Sequence, residues 1–232
     1  MRLFFNQLLF PRTRCVVCQY HFADKYGFCR GCFYDLPHIK HSCLQCGLPL
    51  YPDSACACRA EDWPFSHCVS ACHYSFPVDA LISQFKNQHQ LAFNDCFSHL
   101  LVQRLQRLGI PLPEVLIPVP AHAEKLRQRG FNQSVELAKS LAKTLHLPID
   151  SHSIDVVGKN LAQKKLNKQQ RLDNMSQHFT LSSPLHYTHV ALIDDVMTTG
   201  ATTKALAYVL REHGVRQIQV WTIARTPDKQ GH

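Results

Sequence analysis

The chain has 232 residues, 45% of them hydrophobic, and 25 Lys and Arg against 17 Asp and Glu give a formal net charge of +8. That length holds one ordinary domain plus a small module, with enough apolar material for a real core. No run approaches the ~20 apolar residues of a bilayer-spanning helix, which excludes membrane insertion.

The opening stretch MRLFFNQLLFPRTRC is too short in apolar residues for a secretory signal: Asn6 and Gln7 interrupt it, Pro11, Arg12 and Arg14 follow it, and it has no small-residue cleavage site. It reads as a cytoplasmic start that packs on the fold. Eight of the 11 cysteines then crowd into four pairs, Cys15/Cys18, Cys29/Cys32, Cys43/Cys46 and Cys56/Cys58. Two residues between cysteines let both sulfurs reach one tetrahedral ion, and two such knuckles complete a Cys₄ site in a segment too small for its own core. CVVCQYHFADKYGFCRGC has the form of a zinc ribbon, and CLQCGLPLYPDSACAC nearly repeats it with a shorter last pair. Two structural Zn²⁺ ions are expected. An interleaved cross-brace uses the same spacings; the sequential pairing is the one expected here.

A disulfide framework needs an oxidising compartment, which no export signal supports. Eight zinc-bound thiolates and two dications would lower the net charge to about +4, so bulk charge is weak evidence for a polyanionic partner. Gly47 suits a left-handed turn after its knuckle. Cys68, Cys72 and Cys96 read as small buried hydrophobes rather than ligands. The 15 histidines show neither an HExxH spacing nor a paired cluster, and none is assigned to a site.

The junction EDWPF divides the chain into a module over residues 1–62 and an α/β domain over 63–232. From Pro77 to about Leu108 apolar positions recur at helical spacing, with an interruption near Asn87 to Gln90. EVLIPVPAH then reads as a buried strand ending in a Pro-rich turn at Pro118 to Ala121. A helix is predicted from about Ser134 to His146, where Pro148 bars its continuation. Gly158 to Met175 is polar and basic and reads as a mobile loop. A strand over Val190 to Ile193, a helix from near Ala201 to His213 and a strand over Gln217 to Ala224 complete a parallel sheet flanked by helices.

The run VALIDDVMTTGATT carries the chemistry. In an open α/β sheet ligands lie where parallel strands end, so Asp194 and Asp195 stand at the mouth of a pocket. Thr198, Thr199, Gly200, Ala201 and Thr202 can aim amides and hydroxyls at one spot, helped by the dipole of the following helix. That spot suits a phosphate, and acids beside it suit a diol on the same ligand. A generic helix cap explains neither the doubled acid nor the glycine in its place. In PVPAHAEKLRQRGFNQS, Lys125, Arg127 and Arg129 follow a strand end, and the planar fork of Arg129 suits a pair of phosphoryl oxygens. A solvated helix face would account for Lys125 and Arg127 equally well. Lys159, Lys164, Lys165, Lys168 and Arg171 form a second basic group, which reads as a cationic lid over pyrophosphate, as a contact to a nucleic-acid backbone, or as an ordinary solvated run.

The acid pair and its loop resemble the phosphoribosyl pyrophosphate (PRPP) signature of type I phosphoribosyltransferases. Taken with the paired cysteines, the IPVP turn, RGFNQ and the segment from Gln163 through Arg171 to Asn174, they resemble the ComF-type competence family over nearly the whole chain. The resemblance implies a type I phosphoribosyltransferase-like domain behind a double zinc ribbon. It implies PRPP contacts at Asp194, Asp195, Thr198, Thr199, Gly200, Ala201 and Thr202, and pyrophosphate contacts at Pro120, Ala121, Lys125 and Arg129, with Mg²⁺ accompanying the ligand. It also implies a part in uptake or processing of single-stranded DNA in natural transformation, with that DNA and competence or DNA-processing proteins as partners.

Lys159 and Asn160 depart from the arginine-richer lid of the family. Thr198 stands where 6-oxopurine salvage relatives carry an acid that serves as base, which makes purine salvage less attractive. No general base is identifiable. Three activities stay open: a phosphoribosyltransferase of unknown acceptor, a non-catalytic adaptor that binds DNA or a partner protein beside a vestigial pocket, and a nucleobase salvage enzyme.

Overall fold

The computed structural model describes residues 13–50, 56, 58, 63–88, 92–157 and 178–227. Strands β1 (His67–His73), β2 (Val115–Pro118), β5 (His189–Met197) and β6 (Gln217–Arg225) form one sheet in the order β1-β6-β5-β2, every pair parallel. Such a sheet is covered on both faces, and its residues are correspondingly apolar: Val190 through Ile193 and Val220, Trp221 and Ile223 are fully buried.

Helices α2 (Val78–Gln88), α3 (Ala92–Leu108) and α5 (Gln133–Leu145) pack on one face, where Phe85, Phe97 and Leu137 meet Ile193 and Trp221. Helix α6 (Ala201–Glu212) covers the other, with Leu206 and Leu210 against Val190, Leu192 and Val220. The zinc-ribbon module contributes to both layers. Phe28 and Leu36 join the first core, whereas Cys46, Cys58 and the junction residues Trp63 and Phe65 join the second. No helix among the described residues is long and apolar enough to cross a membrane.

The predicted helix at Ser134 is α5, capped by Asn132, whose side chain accepts from the Ser134 amide at 3.0 Å, and closed by His146 in the left-handed conformation. The interruption expected near Asn87 falls between α2 and α3. Other elements are additions to the sequence reading. A short helix α1 (Arg30–Asp35) follows the knuckle cysteine Cys29, and α4 (Ala123–Arg129) carries Lys125 and Arg127 after the Pro-rich turn. An antiparallel pair of strands, β3 (Ile154–Val156) and β4 (Phe179–Leu181), flanks the basic segment. The lid candidates Lys159, Lys164, Lys165, Lys168 and Arg171, with Gln163 and Asn174, lie outside the described residues, as do the first 12.

One difference from the predicted boundaries matters for the site. The strand expected to stop at Ile193 runs on to Met197, because β6 keeps pairing with it through Asp194↔Thr222 and Met197↔Arg225. On its other side, β2 ends at Pro118 opposite Ile193, and the last rung is Val119 N–H to the Ile193 carbonyl at 2.8 Å. The acids therefore sit within a strand that has outrun one neighbour, which opens the space beside them.

Candidate functional site

The two cysteine quartets assemble in the sequential pairing. The sulfurs of Cys15, Cys18, Cys29 and Cys32, and those of Cys43, Cys46, Cys56 and Cys58, lie within 4.8 Å of one another in each group. Four thiolates 2.3 Å from a central ion stand about 3.8 Å apart. Separations of 3.9 Å for Cys18 to Cys29 and 3.4 Å for both Cys43 to Cys58 and Cys46 to Cys56 fit that geometry. The donor set is soft and tetrahedral, as structural Zn²⁺ requires. Cys68, Cys72 and Cys96 belong to neither group and are fully buried among apolar residues. Gly47 has φ +71°, and a Cβ there would fall 2.7 Å from the Cys68 sulfur, so the second knuckle lies directly on β1.

At the carboxyl edge of the sheet, one cavity of about 450 Å³ is lined by Asp194, Asp195, Thr198 and Thr202 together with Pro120, Ala121, Lys125 and Arg129. Two stretches far apart in sequence thus face one space. Thr199, Gly200 and Ala201 are not in its wall. Thr199 is exposed, and its hydroxyl accepts from the Ala201 amide at 3.3 Å. Gly200 is buried with φ +75°, the turn that starts α6, where a Cβ would meet the Met197 methyl at 2.6 Å and Trp63 at 3.3 Å. Its conformation and the crowding both require glycine. Arg127 is exposed on α4 and outside the cavity wall.

The acids are differently held. Asp194 Oδ1 accepts from the Ser134 hydroxyl at 3.0 Å and the Asp195 amide at 2.9 Å. Asp195 makes an ion pair with Lys86 of α2 at 2.6 Å. Burial first, and the neighbouring Asp195 charge second, push the Asp194 carboxyl up to about 7, against the Asp195 amide, Ser134 and Lys86. The site therefore carries one tethered cation for two carboxyls, with Lys125 and Arg129 in the same cavity wall. That balance favours an anionic ligand.

A double zinc ribbon family model matches residues 5–61. The DNA utilization protein YhgH of Salmonella typhi is 32% identical over 219 residues, spanning 91% of this chain and 96% of that protein. Competence protein F of Haemophilus influenzae is 33% identical over 227 residues, spanning 93% and 98%. The chain belongs to the ComF-type competence family. Among solved structures, a purine phosphoribosyltransferase from Pyrococcus horikoshii Ot3 is similar with a TM-score of 0.34 at 19% identity, covering 57% of this chain and 81% of that one.

Several wall residues of this ComF-type site were not read from sequence. Lys86 comes from α2, and Tyr74 and Phe179 bring aromatic rings. Gln133 is 5% exposed; its Oε1 accepts from Arg129 at 3.2 Å, and its Nε2 has no partner among the described residues. A buried donor of this kind, in the wall of a cavity, awaits an acceptor. His122 also lines the space, its pKa lowered by burial and then by Lys125 and His178. RGFNQ carried a legible signal for Gln133; nothing local marks Lys86 or His122.

The shift at Asp194 has a measurable sign. An unfolded aspartate titrates near 3.9, so across about pH 4 to 7 the folded chain keeps a proton that the unfolded chain has released. This group's contribution to stability is full below about pH 4 and is lost as pH rises toward 7. Urea denaturation of Asp194→Asn should show the variant gaining on wild type by on the order of 2 kcal/mol between about pH 4.5 and 7.5. A difference that stays flat with pH would contradict the buried-acid account.

Proposed function

We propose that the cavity binds a PRPP-like phosphosugar and that the protein uses it in handling incoming single-stranded DNA. The observation that supports this is the meeting, in one cavity, of Asp194, Asp195, Thr198 and Thr202 with Lys125 and Arg129. The carboxyls accept hydrogen bonds from a ribose diol. The threonines and the start of α6 hold the 5′-phosphate. Lys125 and Arg129 take the pyrophosphate oxygens, Arg129 as a bidentate fork.

Asp194 and Asp195 offer the hard oxygen donors that Mg²⁺ prefers, and as usual for this ion the ligand's phosphates would supply the rest of its shell. Bound there, Mg²⁺ would neutralise pyrophosphate charge. The protein's own contribution is positioning, together with cations fixed where negative charge gathers on the departing group.

The names of the relatives supply the biological setting: competence and DNA utilization. We place the protein in the cytoplasm on this reading, with a phosphoribosyltransferase activity toward an unassigned acceptor as the first form of the function. A second form, in which the pocket senses a nucleotide or a phosphorylated DNA end without turnover, is favoured by Thr198 in the cavity wall where salvage relatives carry an acid. Calorimetry with PRPP and Mg²⁺, and separately with a single-stranded oligonucleotide, tests both. PRPP should bind with modest salt dependence, while DNA affinity should fall steeply with salt as counterions compete for Lys and Arg. Release of pyrophosphate on adding one nucleobase, with ordinary turnover, would instead establish salvage. Failure of PRPP to bind at all would overturn the reading.

A further inference from the structure

The carboxyl end of β6 carries Arg225, 4% exposed although it is an arginine. Its donors go to backbone carbonyls of two different parts of the molecule. Nε donates to the carbonyl of Cys46 at 3.1 Å, and Nη1 to the carbonyls of Met197 and Thr226, each at 3.1 Å, and of Thr198. Cys46 is a member of the second cysteine quartet, whereas Met197 and Thr198 lead into the phosphate loop. One planar side chain thus ties a zinc knuckle to that loop.

Other contacts run across the same seam. The Cys68 thiol lies 3.0 Å from the Met197 sulfur, and Gly47 packs closely on the same thiol. The Cys68 amide donates to the Leu44 carbonyl at 2.6 Å, inside the knuckle. Trp63 backs Gly200 at the loop's turn, with the Lys204 ammonium 3.4 Å from its ring centroid. The neighbours of the first quartet, Phe28 and Leu36, instead join the core on the opposite face of the sheet.

We propose that the second zinc cluster is a strut of the phosphate loop, with Arg225 as the positioning residue that transmits it. The quartet fixes the Cys46 backbone, the Cys46 carbonyl fixes the guanidinium, and the guanidinium holds the Met197 and Thr198 carbonyls so that the loop keeps its shape before ligand arrives. A ligand then meets an ordered loop and spends less binding energy ordering it. The two zincs are therefore not equivalent: one supports the ribbon and the helical layer, the other supports the binding site. Lysine is a poor substitute for Arg225, since one ammonium cannot span carbonyls on both sides of the seam as the fork does.

The inference rests on the phosphosugar reading for its ligand arm only. The test compares full-length wild type, Arg225→Lys, Cys56→Ser in the second quartet and Cys32→Ser in the first, each with zinc content measured. Hydrogen exchange by mass spectrometry follows the amides from Met197 to Thr202, and calorimetry follows ribose 5-phosphate. Exchange in that loop should quicken about tenfold or more in Arg225→Lys and Cys56→Ser but not in Cys32→Ser, while amides from Val190 to Ile193 stay protected in all. Ribose 5-phosphate affinity should fall about tenfold in the same two variants.

Equal loosening by Cys32→Ser and Cys56→Ser, or wild-type loop exchange in Arg225→Lys, overturns the proposal. If Cys56→Ser does not accumulate folded, the comparison of Arg225→Lys with Cys32→Ser decides. If wild type itself fails to bind ribose 5-phosphate, the pocket reading falls, and the exchange arm still decides whether the strut exists.

Discussion

Arg129→Ala is expected to weaken PRPP about thirtyfold while leaving ribose 5-phosphate within about twofold, because charge-assisted hydrogen bonds to the pyrophosphate are worth about 2 kcal/mol. The split follows from position. Arg129 is the last residue of α4, held by its bond to Gln133 across the turn at Gly130, and it lines the same cavity as the acids. On the proposed reading it serves the end of the ligand that carries the pyrophosphate and not the end that carries the 5′-phosphate. Arg129→Lys should recover only part of the loss, since an ammonium cannot match two oxygens in one plane. Calorimetry with the two sugars reads both numbers. Equal losses for PRPP and ribose 5-phosphate would move Arg129 out of the pyrophosphate site.

The second large effect is expected at Lys86. Its ammonium is the cation in contact with Asp195, and Asp194 stands beside that carboxylate with its own pKa already raised. Lys86→Met leaves the acid pair without its tethered counter-charge. Because the pair is partly solvated, with side-chain exposures of 26% and 12%, the loss in stability at about pH 8 should be on the order of 2 kcal/mol rather than the larger cost of a fully buried pair. Two uncompensated carboxyls also take a hard divalent cation more readily. Mg²⁺ alone should therefore raise the melting temperature of Lys86→Met by several degrees and that of wild type hardly at all. A variant that melts like wild type and ignores Mg²⁺ would show that the ion pair contributes little to the site.

What could be read from the residues alone divides along a physical line. The cysteine quartets, the acid pair and the glycine turn were legible because each is a local motif: the chemistry needs those residue types at fixed short spacings, and the backbone between them has few ways to comply. The sheet was legible because strands buried on both faces are apolar without interruption, as Val190 to Ile193 are. Lys86, His122 and Arg225 carry no such local mark. Lys86 lies on an amphipathic helix where a lysine is ordinary, and only the packing of α2 beside β5 brings it to Asp195. Arg225 closes a strand like many other arginines, and its role depends on the knuckle folding back over the sheet.

The strand boundary at Ile193 was misplaced for a related reason. Two aspartates read as a break in an apolar run, yet pairing is decided by the neighbouring strand, and β6 continues where β2 stops. The bounds of α4 are not legible in AEKLRQR, which has no apolar stripe long enough to announce them; the turn at Gly130 ends the helix.

The measurement that bears most directly on the central claim is calorimetry of PRPP with Mg²⁺ on wild type and on the double variant Asp194→Asn/Asp195→Asn, with folding of both checked by the near-ultraviolet spectrum. The account expects wild type to bind and the double variant to lose at least a hundredfold in affinity, about 2.7 kcal/mol, since both diol acceptors lose their charge and Mg²⁺ loses its carboxylates. A folded double variant that binds PRPP as tightly as wild type would contradict it.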